Sequence, residues 1–168
     1  MSNHNVTGYS SLQVTLHWAV VVLVAFQFVA HDGMEAAWDA AMDGKPPPVD
    51  DLTLAYLHIV AGAAVLLLAI ARILLRLTRG APPPPAEEPW LLKIVAEAVH
   101  GLIYLLLILL PVSGMVAWFA GIKGAGDAHD LMKTLLLSAI ALHVAGALFQ
   151  HFILRSDVLM RMFRPQRG

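Results

Sequence analysis

Five histidines lie inside strongly apolar stretches of this sequence, at positions 17, 58, 100, 143 and 151. An ionisable side chain at membrane depth is costly, so it is usually retained for function and faces the interior of a helical bundle. Neutral imidazole is a good ligand for iron, and two imidazoles from opposing helices are what an iron porphyrin needs as axial ligands. A single buried histidine could be an inter-helix hydrogen bond. Five of them favour haem ligation in the core of a helical bundle.

The absence of cysteine limits the redox chemistry that this chain can carry. It excludes disulfides, thiolate metal sites, iron–sulfur clusters and the covalent attachment of c-type haem. Any haem is therefore expected to be held without a covalent link. With both axial positions filled, such a centre passes single electrons and offers dioxygen no open coordination site.

The elements that must position these histidines are predicted to be four membrane-spanning helices. The chain is 58% hydrophobic and 14% charged, with a mean hydropathy of +0.70, which is typical of a small integral membrane protein. Each apolar stretch reaches the ~20 residues that a helix needs to cross the hydrocarbon core. The predicted spans are residues 12–30, 52–77, 91–119 and 131–154. We expect an all-α four-helix bundle that forms a single domain over residues 1–168.

The connections between these spans differ in character. A polar loop over residues 31–51 is predicted first, followed by the proline-rich connection TRGAPPPPAEEP, which cannot continue a helix. The third connection, GIKGAGDAHD, is short and rich in glycine. No cleavable signal peptide is expected, because the first apolar run follows a polar start that lacks a basic region.

The distribution of basic residues predicts that both termini are cytoplasmic. Loops rich in Lys and Arg stay on the cytoplasmic side of a membrane. Eight basic residues lie in the proline-rich connection, its flanks and the C-terminal tail: Arg72, Arg76, Arg79, Lys93, Arg155, Arg161, Arg164 and Arg167. The opposite face carries three: Lys45, Lys123 and Lys133. The first loop is acidic, and the net charge of −1 gives no basic field for nucleic acid.

Depth along the predicted spans orders the histidines into levels. His17 is about five residues from the cytoplasmic start of the first span and His151 about three from the cytoplasmic end of the fourth, so these two share an inner level. His143 lies ~12 Å and ~80° from His151 on the same helix, which places it at another level. Both His58 and His100 are close to that second level, and depth alone does not choose between them.

Two further groups of polar residues fall inside the spans. Arg72 follows His58 by fourteen residues and returns to within ~40° of the same helix face. We predict that Arg72 pairs with a haem propionate, and snorkelling to the interface is the alternative. Glu97, His100 and Tyr104 form one polar stripe that could relay the protons required for quinone reduction, or form an inter-helix hydrogen-bond network.

Motifs in all four spans resemble the bacterial cytochrome b561 family. They are YSSLQVTLHW, LHIVAGAAVLLLAIARILLRL, HGLIYLLLILLPVSGM, and ALHVAGALFQHF followed by LRSDVLMRMFRP. The resemblance implies two non-covalent b haems stacked across the bacterial inner membrane, with ligands on the first, second and fourth spans. Carried over to this sequence, it gives the inner haem His17 and His151 and the outer haem His58 and His143. His100 matches a histidine of the family motif that is not expected to be a ligand.

The resemblance also implies an activity, the transfer of electrons from superoxide to ubiquinone. An anionic donor would be attracted by a positive site, and the outer face offers Lys123, His129 and Lys133 as candidates. The acidic first loop opposes such a site, and the third connection is shorter than the corresponding segment expected of a superoxide oxidase.

The acidic loop favours an alternative function. In this alternative the protein is a non-catalytic electron-transfer or anchor subunit that links a partner dehydrogenase or a periplasmic redox protein to the quinone pool. A metal or proton pathway without haem is a third hypothesis, which predicts a colourless protein.

Overall fold

The computed structural model describes residues 8–85 and 88–166, which form helices and the connections between them. The expectations about the polar N-terminal start and about Arg167 fall outside these residues. The helices are α1 (Ser11–Val29), α2 (His31–Met42), α3 (Val49–Arg79), α4 (Trp90–Ala120) and α5 (Lys123–Phe152), followed by a 3-10 turn at Met160–Met162. Helices α1, α3, α4 and α5 are each long and apolar enough to cross a membrane. The prediction of an all-α protein with four spans is confirmed.

Helix α2 occupies most of the segment that was predicted to be a polar loop. It follows α1 almost directly, with Ala30 as the residue between the two helices. Its acidic residues Asp32, Glu35 and Asp39 are exposed, whereas Gly33 and Ala37 are buried. A short amphipathic helix of this kind carries too few apolar residues to be recognised as a span. It lies at the end of the bundle where α1 ends and α3 begins, which we call the outer end, and it packs on α3.

The contact between α2 and α3 depends on the absence of a side chain at Gly33. A Cβ atom there would lie 2.5 Å from Leu54 Cδ1 and 2.7 Å from Leu54 Cβ. We expect Gly33→Ala to destabilise the fold by about 1–3 kcal/mol, because an overpacked contact forces neighbouring side chains to shift. Thermal unfolding in detergent measures this effect. Gly124→Ala is the control, since a Cβ on this helical glycine meets no atom within 4 Å. Equal unfolding midpoints for the two variants would contradict the close contact.

Helix α5 begins eight residues earlier than predicted. The connection from α4 consists of Gly121, whose φ of 65° lies in the left-handed region that glycine favours, and Ile122. The glycines and aspartates of the segment GIKGAGDAHD were interpreted as a loop, but most of them lie in the first turns of α5. As a consequence, His129 belongs to a membrane-spanning helix and not to a connection.

The buried apolar core lies between two levels of histidines. Its members come from all four spans: Val20, Val24, Val65, Ala69, Leu106, Leu107, Leu110 and Leu136. In the sequence, Leu136 falls midway between His129 and His143 of α5, and Val65 follows His58 of α3. An apolar layer therefore separates the inner histidines from the outer ones.

Candidate cofactor site

The inner pair of imidazoles is formed by His17 of α1 and His143 of α5. Their ring centroids are 6.4 Å apart and their planes are inclined by 58°. A ligating imidazole nitrogen lies ~2 Å from its metal and ~1 Å from the centre of its own ring, so two rings on opposite sides of one iron have centroids ~6 Å apart. The spacing of His17 and His143 fits a pair of axial ligands.

The outer pair is formed by His58 of α3 and His129 of α5, again with ring centroids 6.4 Å apart and an angle of 57° between the planes. The Nδ1 atom of His129 lies 2.9 Å from the carbonyl oxygen of Leu110 and 3.2 Å from Ser113 Oγ, both on α4. An Nδ1–H that donates to Leu110 leaves Nε2 unprotonated, which is the tautomer that a metal ligand requires. The spacing and the hydrogen bond both fit an axial ligand.

Glycine at position 114 lets the His129 ring approach α4. A Cβ at Gly114 would lie 3.1 Å from Cε1 and 3.2 Å from Nδ1 of this ring. These distances are shorter than ordinary van der Waals contact, so a larger residue would push the ring away from the Leu110 carbonyl. The sequence of α4 therefore helps to orient an imidazole on α5.

Helix α5 contributes one imidazole to each pair. His129 and His143 are fourteen residues apart, which corresponds to ~21 Å along the helix and a rotation of only ~40°. Partners lie at similar depths. His17 is six positions after the start of α1 and His143 is nine before the end of α5, while His129 is six after the start of α5 and His58 is nine after the start of α3. The two pairs are therefore stacked at two levels of one bundle.

The structure does not bring together the pairs predicted from the sequence, His17 with His151 and His58 with His143. His151 lies in the last turn of α5, where its ring packs edge-on against Phe152 at 4.9 Å. It is ~12 Å along the helix and ~80° around it from His143, which occupies the place beside His17. His129, which takes the place beside His58, was considered only as part of an outer anion site. The fourteen-residue spacing of the two α5 histidines was the signal that could have identified it.

His100 lies beside the inner pair. Its ring centroid is 4.9 Å from that of His143, with an edge-to-face angle of 78°, and its Nδ1 is 2.6 Å from the carbonyl oxygen of Ala96. A separation of 4.9 Å is too short for two rings on opposite sides of one iron. His100 therefore contacts the ring of His143, and the gap between these two rings is too small for a metal ion.

The three polar residues predicted to form a stripe on α4, Glu97, His100 and Tyr104, have different neighbours in the structure. Tyr104 Oη lies 3.4 Å from Arg72 Nη2 of α3, and the guanidinium carbon is 5.8 Å from the centre of the tyrosine ring. Glu97 is exposed, and His100 is turned towards His143. Among the described residues no hydrogen bond joins Glu97, His100 and Tyr104 to one another, so the predicted relay is not a continuous chain.

Arg72 and Tyr104 line a small, open cleft of about 30 Å³ at the inner end of the bundle. The cleft is lined by Tyr9, Gln13, Arg72, Arg76, Ala81, Tyr104 and Met162. Nη1 of Arg72 is buried and has no hydrogen-bond partner among the described residues. Burial raises the pKa of the Tyr9 phenol, so this group stays protonated at neutral pH. The cleft thus offers hydrogen-bond donors to a carboxylate or a carbonyl oxygen.

The C-terminal segment closes this inner end. Trp18 Nε1 donates to the carbonyl oxygen of Met162 at 2.8 Å, and Arg161 Nη1 donates to that of Pro83 at 2.8 Å. The side chain of Arg161 also pairs with Asp157 at 2.8 Å and lowers the pKa of this carboxyl. These contacts bring the N-terminal start of α1, the proline-rich connection and the C-terminal segment to one face of the bundle.

The three residues predicted to form an outer anion site differ in their surroundings. Lys133 Nζ lies 2.8 Å from His31 Nε2 and 3.0 Å from Asp130 Oδ1, so its charge is already paired. His129 faces His58 and Leu110, and Lys123 is exposed at the start of α5. Of the three, His129 and Lys133 thus already contact other groups, and Lys123 is exposed at the start of the helix.

Among the described residues, two pairs of imidazoles face each other at a spacing that fits a metal between them, and His100 lies beside one of these pairs. No group of three or more His, Cys, Asp or Glu side chains within residues 8–85 and 88–166 is placed to hold a metal ion. Two facing imidazoles leave the four equatorial positions of an iron to another ligand, and a porphyrin supplies four nitrogens. The donor set therefore fits haem.

Four apolar helices with paired imidazoles between them are the architecture of a membrane cytochrome. Residues 8–165 match the family described as Prokaryotic cytochrome b561, so the chain belongs to the prokaryotic cytochrome b561 family. Membership of this family implies haem b as the cofactor and a bacterial membrane as the location.

Three relatives match nearly the full length of the chain. Cytochrome b562 of Cereibacter sphaeroides is 37% identical over 163 residues, which cover 95% of this chain and 97% of that protein. The probable superoxide oxidase CybB of Yersinia pestis is 31% identical over 182 residues, covering 95% and 98%. Cytochrome b561 homolog 1 of Escherichia coli is 25% identical over 186 residues, also covering 95% and 98%.

Proposed function

We propose that this protein is a dihaem cytochrome that transfers electrons across the bacterial inner membrane to ubiquinone. In this proposal His17 and His143 would hold the inner haem, and His58 and His129 would hold the outer haem. The observation that carries the proposal is the presence of two imidazole pairs, each with ring centroids 6.4 Å apart, stacked along one face of α5. Bound haem would supply a one-electron couple at each level.

The chain contributes position and environment to this electron path. The paired imidazoles leave no open coordination position, so the site is suited to electron transfer rather than to reaction with dioxygen. The apolar core between the two pairs excludes water. We assign the end that carries Arg72 and both termini to the cytoplasmic side, because the basic residues concentrate there.

The inner cleft is the proposed acceptor site. Nη2 of Arg72 donates a hydrogen bond to Tyr104 Oη, and Nη1 is buried without a partner among the described residues. The free Nη1 could donate to the carboxylate of a haem propionate. Beside it, the phenols of Tyr9 and Tyr104 line the cleft and could donate to the carbonyl oxygens of a quinone. Tyr104 is the member of the predicted Glu97–His100–Tyr104 relay that is placed to deliver a proton there.

We expect Arg72→Leu to lower the rate of quinone reduction by about tenfold or more, because a hydrogen bond to a charged group contributes ~1.5–3 kcal/mol. The measurement is the reoxidation of the dithionite-reduced protein by a short-chain ubiquinone. Arg79→Leu is the matched control, since this exposed arginine of the same helix is not part of the cleft. Equal rates for the two variants would place the acceptor site elsewhere.

Superoxide is the proposed electron donor on the basis of the likeness to the Yersinia protein.

The alternative function, a subunit that accepts electrons from a partner dehydrogenase or a periplasmic redox protein, is supported by the charges at the outer end. Lys133 is paired with Asp130 and His31, and exposed acids lie on α2. The alignment with the Yersinia protein is longer than this chain, so that protein has additional residues opposite gaps in this sequence.

The two functions are distinguished by adding enzymatically generated superoxide to the purified protein in the presence of ubiquinone. Rapid quinone reduction that is abolished by superoxide dismutase would support superoxide as the donor. A protein whose dithionite-reduced form is reoxidised by quinone, but which superoxide does not reduce, would support the subunit function. Failure of quinone to reoxidise the reduced protein would contradict both.

A further inference from the structure

The side chain of Gln27 of α1 packs against α3 at the level of the outer imidazole pair. Its Nε2 donates to the carbonyl oxygen of His58 at 3.1 Å. One turn further along α3, a Cβ at Gly62 would lie 3.0 Å from the same nitrogen. Glycine at this position therefore leaves room for the amide, and Gln27 is held close to His58.

Two complementary polar atoms at this contact lack partners. Oε1 of Gln27 and Nδ1 of His58 are both buried, and neither makes a well-aligned hydrogen bond among the described residues, although the main-chain carbonyl of Gln27 lies near the His58 ring. Burying an unpaired polar atom is costly, so each calls for a functional explanation. The equivalent atom of the other outer imidazole, His129 Nδ1, is already satisfied by Leu110. The outer pair thus lacks one of the two hydrogen bonds that ligating imidazoles usually make to a neighbouring acceptor.

We infer that Gln27 is the residue that positions His58 as a ligand, by accepting a hydrogen bond from His58 Nδ1–H through Oε1 when Nε2 is bound to iron. This inference rests on the proposed ligation of the outer haem by His58. A ligating imidazole whose N–H is hydrogen-bonded is more basic and stabilises the ferric state. Gln27 should therefore lower the reduction potential of the outer haem.

The test is a redox titration of the purified holoprotein that resolves the two haems. In Gln27→Leu we expect the ferric–ferrous equilibrium of the outer haem to shift about tenfold towards ferrous, which corresponds to ~59 mV upwards for a one-electron couple. The inner haem of the same molecule serves as the internal reference and should not shift. Gln27→Glu, which provides a stronger acceptor, should shift the outer haem in the opposite direction.

Two more variants separate this effect from a general loss of packing. Gly62→Ala displaces the amide without removing it and should shift the outer haem in the same direction as Gln27→Leu. Gln13→Leu is the matched control, because Gln13 is the other glutamine of α1 and donates to the carbonyl oxygen of Gly80 at the inner end. It should leave the outer potential unchanged. If Gln27→Leu loses the outer haem, its potential cannot be measured. The potential of the outer haem in Gly62→Ala then tests the role of Gln27 alone.

The outcomes distinguish this inference from the proposed function. A wild-type protein without an outer haem would overturn both. Two haems in the wild type, with an outer potential that does not respond to Gln27→Leu or Gly62→Ala, would overturn only the role of Gln27. The acceptor for His58 Nδ1–H would then be the main-chain carbonyl of Gln27, which Gln27→Leu leaves in place.

Discussion

Replacing His143 with alanine is expected to remove the inner haem and to leave the outer haem bound. His143 faces His17 at a ring separation of 6.4 Å, and His58 and His129 form their pair at the other level without it. Loss of one of two axial imidazoles should therefore lower the haem content by about half. Haem quantified against protein, together with the reduced-minus-oxidised spectrum, measures the loss.

A double variant tests whether His17 and His143 hold the same haem. If they do, His17→Ala with His143→Ala loses no more haem than either single variant. If His17 instead pairs with His151, and His143 with His58, the double variant loses both haems. His100→Ala is the control, because this ring touches His143 but does not face it across a ligand position. It should retain both haems.

The second large effect is expected at the outer level, where His129→Ala should remove one haem and His151→Ala should remove none. His129 faces His58 and has its Nδ1 satisfied by Leu110, whereas His151 lies at the end of α5 against Phe152. Both histidines lie on one helix and receive the same substitution, so each variant is a control for the other. Loss of a haem in His151→Ala and retention of both in His129→Ala would restore the pairing predicted from the sequence.

Much of the fold could be predicted from hydropathy, because a membrane span must be a long apolar helix. The parts that were missed are those in which the helical segment is not apolar. Helix α2 is short and amphipathic, and the first two turns of α5 contain glycines and aspartates that are usual in loops. A helix can extend beyond the apolar layer, and hydropathy does not show where it begins.

The position of the α5 start also explains why the imidazole pairs in the structure differ from the pairs predicted from depth. Depth was counted from the predicted span ends, and the fourth span was taken to begin at Leu131. That estimate left His129 outside the membrane, so His143 and His151 were the histidines that remained on this helix. Rotation around the helix agrees with the pairs in the structure, since fourteen residues return to within ~40° of the same face and eight residues differ by ~80°.

The outer anion site shows a different limit of sequence reasoning. Three basic residues near one connection indicate local positive charge, but the sequence does not reveal how each charge is paired. Lys133 contacts Asp130 and His31, and His129 is turned into the bundle. The inner cleft was missed for a related reason, since Tyr9 and Met162 approach Arg72 only after both ends of the chain fold together.

The most direct test of the proposed function is the reduced-minus-oxidised visible spectrum of the purified protein, with haem quantified per chain. Two stacked imidazole pairs predict b-type bands and two haems for each chain, both low-spin with two histidine ligands. A single haem per chain, or a protein without b-type bands, would contradict the assignment of His17 with His143 and His58 with His129.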